Sequence, residues 1–280
     1  MKVLVTGAGG MLGQDVVRAA DFVNHEVVPY ARADLDITDP RVVRRVLDAE
    51  RPDAVINCAA WTDVDGAEEH EDEATEVNGA GAGIVAAEAA DVGAAVIHAS
   101  TDYVFDGTAR RPYVESDRTN PVQAYGRSKL AGEIEVAAAN ERHFIVRSSW
   151  LFGAGGGNFV ETMLRLAGEL DQIVVVRDQV GAPTYTGHLA DALVRLLDGE
   201  AYGVHHIAGS EQCSWYEFAV EIFGQTGADV RVLSCTTDEF PRPAARPAYS
   251  VLGTERDYPI VLPEWQKGLA SYLRERAPIS

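Results

Sequence analysis

Short apolar runs recur along the first half of the chain, each followed by a turn and a longer amphipathic stretch. KVLVTG (2–7), HEVVPY (25–30), DAVINCAA (53–60), GAAVIHAS (93–100) and HFIVRSSW (143–150) read as strands. The stretches 10–20, 40–49, 71–90 and 124–139 between them carry helical spacing. In the second of these Asp39 is placed as N-cap and Pro40 as first helical residue, where a missing N–H costs nothing. Strands that are apolar throughout, alternating with helices, predict an α/β fold with a doubly wound parallel sheet.

The texture changes after Trp150. LFGAGGGNF is a glycine-rich loop, VETMLRLAGEL an amphipathic helix, and DQIVVVRD a strand. QVGAPTYTGHLADALVRLLDG turns into another helix, and GVHHIAG reads as a further strand. SWYEFAVEIFGQTG and PEWQKGLASYLRER are helices on either side of the irregular segment FPRPAARPAYSVLG. We expect residues 1–155 and 180–208 to form a dinucleotide-binding Rossmann domain. Residues 156–179 and 209–280 are expected to form a smaller C-terminal lobe over the strand ends, where open α/β sheets bind ligands.

Composition narrows the partners. With 280 residues, 46% of them hydrophobic, the chain can bury a sizeable core. No apolar run reaches membrane-spanning length, and MKVLVTGAGG lacks a small-residue cleavage site, so it reads as a strand rather than a signal peptide. A net charge of −19 argues against nucleic acid, whose phosphates require basic patches. Cys58, Cys213 and Cys235 show no CxxC spacing, which fits a reducing, cytoplasmic compartment without a zinc site. His205 and His206 share one strand and face opposite sides, so they do not chelate one ion together. No metal is expected. Against 43 acidic residues stand 24 basic ones, and only Lys2, Lys129 and Lys267 are lysine. That balance suggests a halophilic source, since molar salt screens self-repulsion beyond roughly 3 Å.

TGAGGMLG spaces Gly7, Gly10 and Gly13 as GxxGxxG at the first strand–helix junction. A tight turn and close backbone approach there would place a pyrophosphate on a helix N-terminus, with Met11 and Leu12 in its first turn. Tyr30 ends the second strand where NAD enzymes carry an acid, and Arg32 follows it. An arginine there suits a ribose 2′-phosphate and so NADPH, with NADH as the alternative and a solvated loop cation as the plainer reading. Asp36 and Ile37 are placed to border the adenine. Ala59 and Ala60, after the third strand, would let the backbone pass the cofactor.

Tyr125 and Lys129 are spaced i, i+4 and share one helical face. A tyrosine that protonates a developing alkoxide is helped by a neighbouring ammonium that lowers its pKa. A compact ammonium does this, and holds a ribose, in a way a planar guanidinium does not. Thr101 or Ser100, at the end of the fourth strand in ASTDYVFDG, would hydrogen-bond the substrate carbonyl.

Together these stretches resemble the extended short-chain dehydrogenase/reductases, and within them the dTDP-4-dehydrorhamnose reductase family. The resemblance is carried by TGAGGMLG, DLDITD, NCAAWTDVDGAE, STDYVFDG, YGRSKLAGE, VRSSWLFG, GNFVETML, DQVGAPTYT and RPAYSVLG. It implies reduction of the C4 ketone of a nucleotide-activated deoxysugar by Thr101, Tyr125 and Lys129. It further implies that Asp102, Trp150, Asn158 and Phe159 border the sugar, that Val64 and Asp65 line the pocket, and that Arg246 and Ser250 face the nucleotide diphosphate. Arg242 shares the proline-stiffened segment with Arg246. Gly253 departs from the family's pattern, which often has an acid there. The acids that hold magnesium in some members are not clearly matched: Asp15 and Asp191 read as solvated helix acids. A two-subunit assembly is expected only because closed dimers are commonest. Two rival readings stand beside the reductase: an epimerase or dehydratase that retains NAD, and a non-catalytic NADP-binding regulatory subunit.

Overall fold

A computed structural model describes residues 1–276. Six parallel strands form the central sheet: β1 (Lys2–Thr6), β2 (Glu26–Tyr30), β3 (Ala54–Asn57), β4 (Ala95–Thr101), β5 (His143–Ser148) and β10 (Gly203–His206), in the order β2-β1-β3-β4-β5-β10. The chain winds outward from β1 to β2, then returns to β3 on the other side. The strand order therefore reverses between β1 and β3, which opens a ligand crevice at their carboxyl ends. This is the doubly wound sheet that the alternating pattern predicts.

Each face is covered because the strands are apolar on both sides. Helices α1 (Met11–Phe22) and α7 (Thr186–Leu196) enclose one core with Val3, Val5, Ile56, Ile97 and Phe144. On the other face α2 (Pro40–Glu50) and α4 (Ala82–Asp91) cover Leu4, Val55, Val96 and Ile145, joined there by Val136 of α5 (Ala124–Ala139). Asp39 caps α2 as expected, its carboxylate accepting from the Arg41 N–H at 2.9 Å.

The helix read over 71–90 is divided. α3 (Glu71–Thr75) passes through one π-turn, Glu76–Gly81, before α4 begins. Asn78 in that turn accepts from the Trp61 N–H at 2.8 Å and donates to the Trp61 carbonyl at 3.1 Å and to the Ser128 hydroxyl at 2.9 Å. The extra residue thus turns one amide toward both the loop after β3 and α5.

Beyond β6 (Leu151–Phe152) a second core gathers Phe152, Val160, Ile173, Tyr185, Phe218, Trp265 and Tyr272. It is built from α6 (Phe159–Ala167), β7 (Gln172–Val176), α8 (Trp215–Thr226), β12 (Arg231–Cys235) and α9 (Trp265–Glu275), with β12 parallel to β7. The sequence reading places no element at β12, whose residues alternate too weakly to stand out. Two short pairings lie outside the central sheet: β8 (Val180–Gly181) with β11 (Cys213–Ser214), and β6 with β9 (Thr184–Tyr185).

Helix α5 is tied to the sheet by a buried ion pair. Glu133 accepts from Arg147 of β5 at 2.7 and 2.9 Å and from the Ser100 hydroxyl of β4 at 2.5 Å. Both charged side chains are only 5% exposed. Replacing Glu133 by Ala would leave the Arg147 charge buried and unpaired, so Glu133→Ala is expected to lower the unfolding free energy by about 3–5 kcal/mol in urea titrations.

Candidate active site

The glycine loop is built for a close approach. Gly7 has φ +66°, and a Cβ on it would stand 2.5 Å from the Ala59 nitrogen and 2.7 Å from the Ala59 Cα. Glycine alone lets the loops after β1 and β3 meet. A Cβ on Gly13 would strike the Gly7 carbonyl and lie 2.8 Å from the Ala8 Cα. Gly10 is the N-cap of α1 and offers no side-chain acceptor, while its own N–H bonds the Gly7 carbonyl at 2.9 Å. The first-turn N–H groups of α1, from Met11 to Gly13, are left facing the β1/β3 crevice. With the helix dipole behind them, they fit a pyrophosphate.

Around this cradle the expected residues divide. Ala59 lies against Gly7, and both it and Ala60 are part-exposed. Met11 is part-exposed, whereas Leu12 is buried in the core under the loop. Ile37 is likewise buried, packed in the α2/α4 core rather than presented to a nucleotide. The Asp36 carboxylate accepts from the Thr38 N–H at 3.0 Å and the Thr38 hydroxyl at 2.8 Å, and these bonds hold its pKa below the usual value. It is closing a turn. Arg32 is exposed and makes no ion pair among the described residues, while Tyr30 beside it donates to Glu50 at 3.1 Å. The Arg32 guanidinium is thus left open to solvent just past the end of β2.

The catalytic candidates meet at the carboxyl end of β4. Thr101 ends that strand, and its hydroxyl donates to Asp102 at 3.1 Å while accepting from the Tyr103 N–H at 3.2 Å. Tyr125 enters from the first turn of α5. The Gln123 side chain caps the Gly126 N–H there, and Glu68 accepts from the Ala124 N–H at 2.8 Å. Gly126 presses so closely on the Tyr103 carbonyl that no Cβ fits. Tyr103 and Tyr125 meet edge to face at 6.2 Å.

The electrostatics differ from the sequence expectation. The Tyr125 pKa stands above its ordinary value. Burial raises it, the Asp102 charge raises it further, and a hydrogen bond with Thr101 partly offsets both. Lys129 itself is buried, with Nζ donating to the Ala99 carbonyl at 2.7 Å and standing 3.3 Å from His98 Nε2. Burial lowers the lysine to about 8, although Glu133 and Cys58 pull it upward. Asp102 is also buried, with one carboxylate oxygen unpartnered. Burial pushes it up to about 7 despite hydrogen bonds from Ser250 and Thr101.

The residues expected around the substrate fall into two groups. Asp65 is clamped by Arg242 at 2.5 and 3.0 Å, by Arg246 at 3.0 Å and by the Ala244 N–H at 3.1 Å. Burial would raise its pKa, but these bonds outweigh that and hold it low. Asp65 thus anchors the arginine-rich segment over the site, with Val64 part-buried beside it. Ser250, from the same segment, reaches Asp102. The second group is mainly structural. Trp150 has φ +49°, stacks on Trp215 at 3.6 Å, and presses on Gly181. Phe159 packs on Trp215 at 4.6 Å. Asn158 caps α6 through the Glu161 N–H at 3.1 Å and donates to the Gly153 carbonyl at 2.8 Å and the Gly156 carbonyl at 3.2 Å, so its amide holds the glycine-rich loop beside Met11. Asp15 is buried and paired with Arg18 rather than solvated; Asp191 is exposed. No group of metal-binding side chains occurs among the described residues.

His98, Asn57 and Trp215 were missed by sequence reasoning. Of these, only His98 left a signal: a lone histidine inside the apolar strand AVIHAST.

A reversal point with a glycine-lined loop, beside a Thr–Tyr–Lys set in which Thr101 and Lys129 are buried and Tyr125 is part-buried, defines a nucleotide-dependent oxidoreductase of the extended short-chain dehydrogenase/reductase class. The family model described as RmlD substrate binding domain matches residues 1–277, and the chain belongs to that family. A dTDP-4-dehydrorhamnose reductase from Clostridium acetobutylicum is similar at 46% identity with a TM-score of 0.94, covering 98% of this chain and 99% of that one. A dTDP-4-dehydrorhamnose reductase from Bacillus anthracis in complex with NADP is similar at 39% identity with a TM-score of 0.96, over 98% and 99% of the two chains. A dTDP-4-keto-6-deoxy-D-glucose reductase of Streptomyces niveus is 46% identical over 89% of this chain and 88% of its own.

Asp102 yields a prediction with a definite sign. Its folded pKa of about 7 lies above the ordinary value of 3.8, so between those values the native state keeps a proton that the unfolded chain has lost. Stability from this group is full below that window, falls as pH rises through it, and is flat above. Asp102→Asn is expected to remove the fall. Relative to the parent it should gain stability between about pH 5 and pH 8, by at most about 3 kcal/mol, in urea unfolding at the two pH values.

Proposed function

We propose that this protein is an NADPH-dependent reductase of the C4 ketone of a dTDP-4-dehydro-6-deoxy-sugar, converting dTDP-4-dehydro-L-rhamnose to dTDP-L-rhamnose. The observation that carries this is the meeting of Thr101, Tyr125 and Lys129 at the end of β4, across the crevice from the glycine cradle. Family membership favours a reductase over an epimerase or dehydratase that retains NAD, and the intact Tyr–Lys pair speaks against a non-catalytic subunit.

NADPH, when bound, supplies the hydride that reduces the ketone. The first turn of α1 holds its pyrophosphate and Arg32 its 2′-phosphate. Thr101 positions the ketone oxygen, and Tyr125 donates its phenolic proton to that oxygen as negative charge develops. The raised pKa suits this role. The phenol stays protonated at neutral pH and gives up its proton only to a stronger base, which an alkoxide is. Lys129 holds the cofactor ribose. Arg246 faces the substrate diphosphate, and Asp65 keeps that arginine in place before substrate arrives. Asp102, Ser250, Val64, Trp150 and Phe159 form the walls of the sugar site. Most of the late segments would serve as a substrate lobe over the Rossmann domain.

A reductase of nucleotide sugars would work in the cytoplasm, and no described helix is long and apolar enough to cross a membrane. The net charge of −19 suits a halophilic setting. A homodimer is the assembly to test by light scattering.

Absorbance loss at 340 nm in molar salt, with dTDP-4-dehydro-L-rhamnose generated in situ, tests the reaction. Tyr125→Phe is expected to lower kcat by about 10²–10⁴-fold, the contribution of a general acid. No oxidation by the parent protein, with NAD released on denaturation, would place the chain in the epimerase or dehydratase class instead. Arg32→Ala is expected to raise KM for NADPH about tenfold or more and leave KM for NADH unchanged, from the loss of a charge-assisted pair with the 2′-phosphate.

A further inference from the structure

Beneath the crevice, three strands place polar side chains side by side. Thr6 of β1 is in register with Asn57 of β3, and Asn57 with His98 of β4. All three are buried in a sheet that is otherwise apolar at this depth, and Lys129 of α5 closes the row. A polar row through an apolar core persists only if its hydrogen bonds are made, and here they fix each group's role.

The Ala59 N–H donates to Asn57 Oδ1 at 3.2 Å, and the Thr6 hydroxyl donates to the same oxygen at 2.6 Å. A backbone N–H is a donor only, so the amide oxygen is held on that side and Nδ2 faces His98 Nδ1 at 3.2 Å. Nδ1 must therefore accept. Burial holds the His98 pKa well below its usual value, so the ring is neutral and its single proton sits on Nε2. That N–H points at Lys129 Nζ, 3.3 Å away. An ammonium would oppose one donor with another. An amine accepts the His98 proton on its lone pair, gives one N–H to the Ala99 carbonyl at 2.7 Å, and keeps one N–H for a ligand.

We propose that His98, locked in one tautomer by Asn57, is a positioning residue for Lys129 that donates Nε2–H to the lysine and stabilises its amine form. Burial is the largest influence on Lys129 and lowers its pKa, and the His98 contact acts in the same direction. Glu133 lies one turn along α5, but Arg147 already holds its carboxylate. Burial pushes the Cys58 thiol up to about 12, and Tyr125 is a neutral phenol, so neither carries charge near neutral pH. One face of α5 then bears two proton carriers a turn apart: a phenol that holds its proton tightly and a lysine that holds its proton loosely. The inference rests on the reading of Tyr125 and Lys129 as the reductase pair, but it concerns the free protein and can be tested there.

The lysine-poor sequence makes the test direct. With three lysines in the chain, ¹³Cε-lysine NMR gives three resonances to titrate, and Lys129→Arg assigns the one of interest. Lys129 is expected to titrate near 8, well below Lys2 and Lys267. The ¹⁵N shifts of His98, assigned through its contacts to Asn57 and Lys129, should show Nε2 protonated and Nδ1 bare at pH 7. His98→Gln offers an amide oxygen to Lys129 in place of a donor and should raise its midpoint by about one unit or more. Asn57→Asp should turn the ring to its Nδ1–H tautomer and raise the midpoint as well. An Nδ1–H ring in the parent protein overturns the proposal, as does a Lys129 midpoint unmoved in folded His98→Gln or Asn57→Asp. If neither variant folds, the tautomer of the parent decides. None of these readings depends on turnover, so a failed 340 nm assay leaves them standing, and an unmoved midpoint leaves the reductase reading standing.

Discussion

The seat of α5 on the sheet is held by the Glu133–Arg147 pair, and the Ser100 hydroxyl completes it from β4. One helix is thereby bonded to two neighbouring strands. Two glycines let it come close: Gly126 against the Tyr103 carbonyl and Gly132 against the Asn78 carbonyl, positions where a Cβ would collide with backbone. Tyr125 and Lys129 sit on this helix, and Thr101 and His98 on the strand beneath. A shift of α5 would separate the phenol from Thr101 and the lysine from His98 together. The apolar cores fold the sheet, but this polar contact sets the register in which the site exists.

Burial then decides the electrostatics. Removing Tyr125, Lys129, Asp102 and His98 from water disfavours whichever form is charged, so the acids move up and the bases down. The site is consequently closer to neutral than its residue types suggest. Charge is kept at its rim, where Asp65 braces Arg242 and Arg246. A strongly acidic protein thus retains a small basic edge suited to a diphosphate.

Much of this was legible in the chain. The strand–helix alternation gave the parallel sheet, because a strand buried on both faces must be apolar throughout. The GxxGxxG loop and the Tyr125–Lys129 spacing were readable because both are local: one turn, one helical face. The π-turn at Asn78 was not readable, since Asn78 is needed there for partners at Trp61 and Ser128 that are distant in sequence. That the Ile37 and Leu12 side chains turn into the core was not readable either, because position beside a motif does not say which way a side chain turns. Asn158 likewise went to a cap and a loop.

By itself the sequence determined the layer architecture, the glycine loop between β1 and α1 and the shared helical face of Tyr125 and Lys129, each through periodicity or spacing within a few residues. The tertiary structure decided what those groups are in place. It turned Lys129 toward His98 and Ala99, made Asp102 a buried acid, and tied the late arginines to Asp65. The physical reason is that hydrogen-bond partners and solvent exposure belong to neighbours across strands and helices, and those neighbours are adjacent only once the chain has folded.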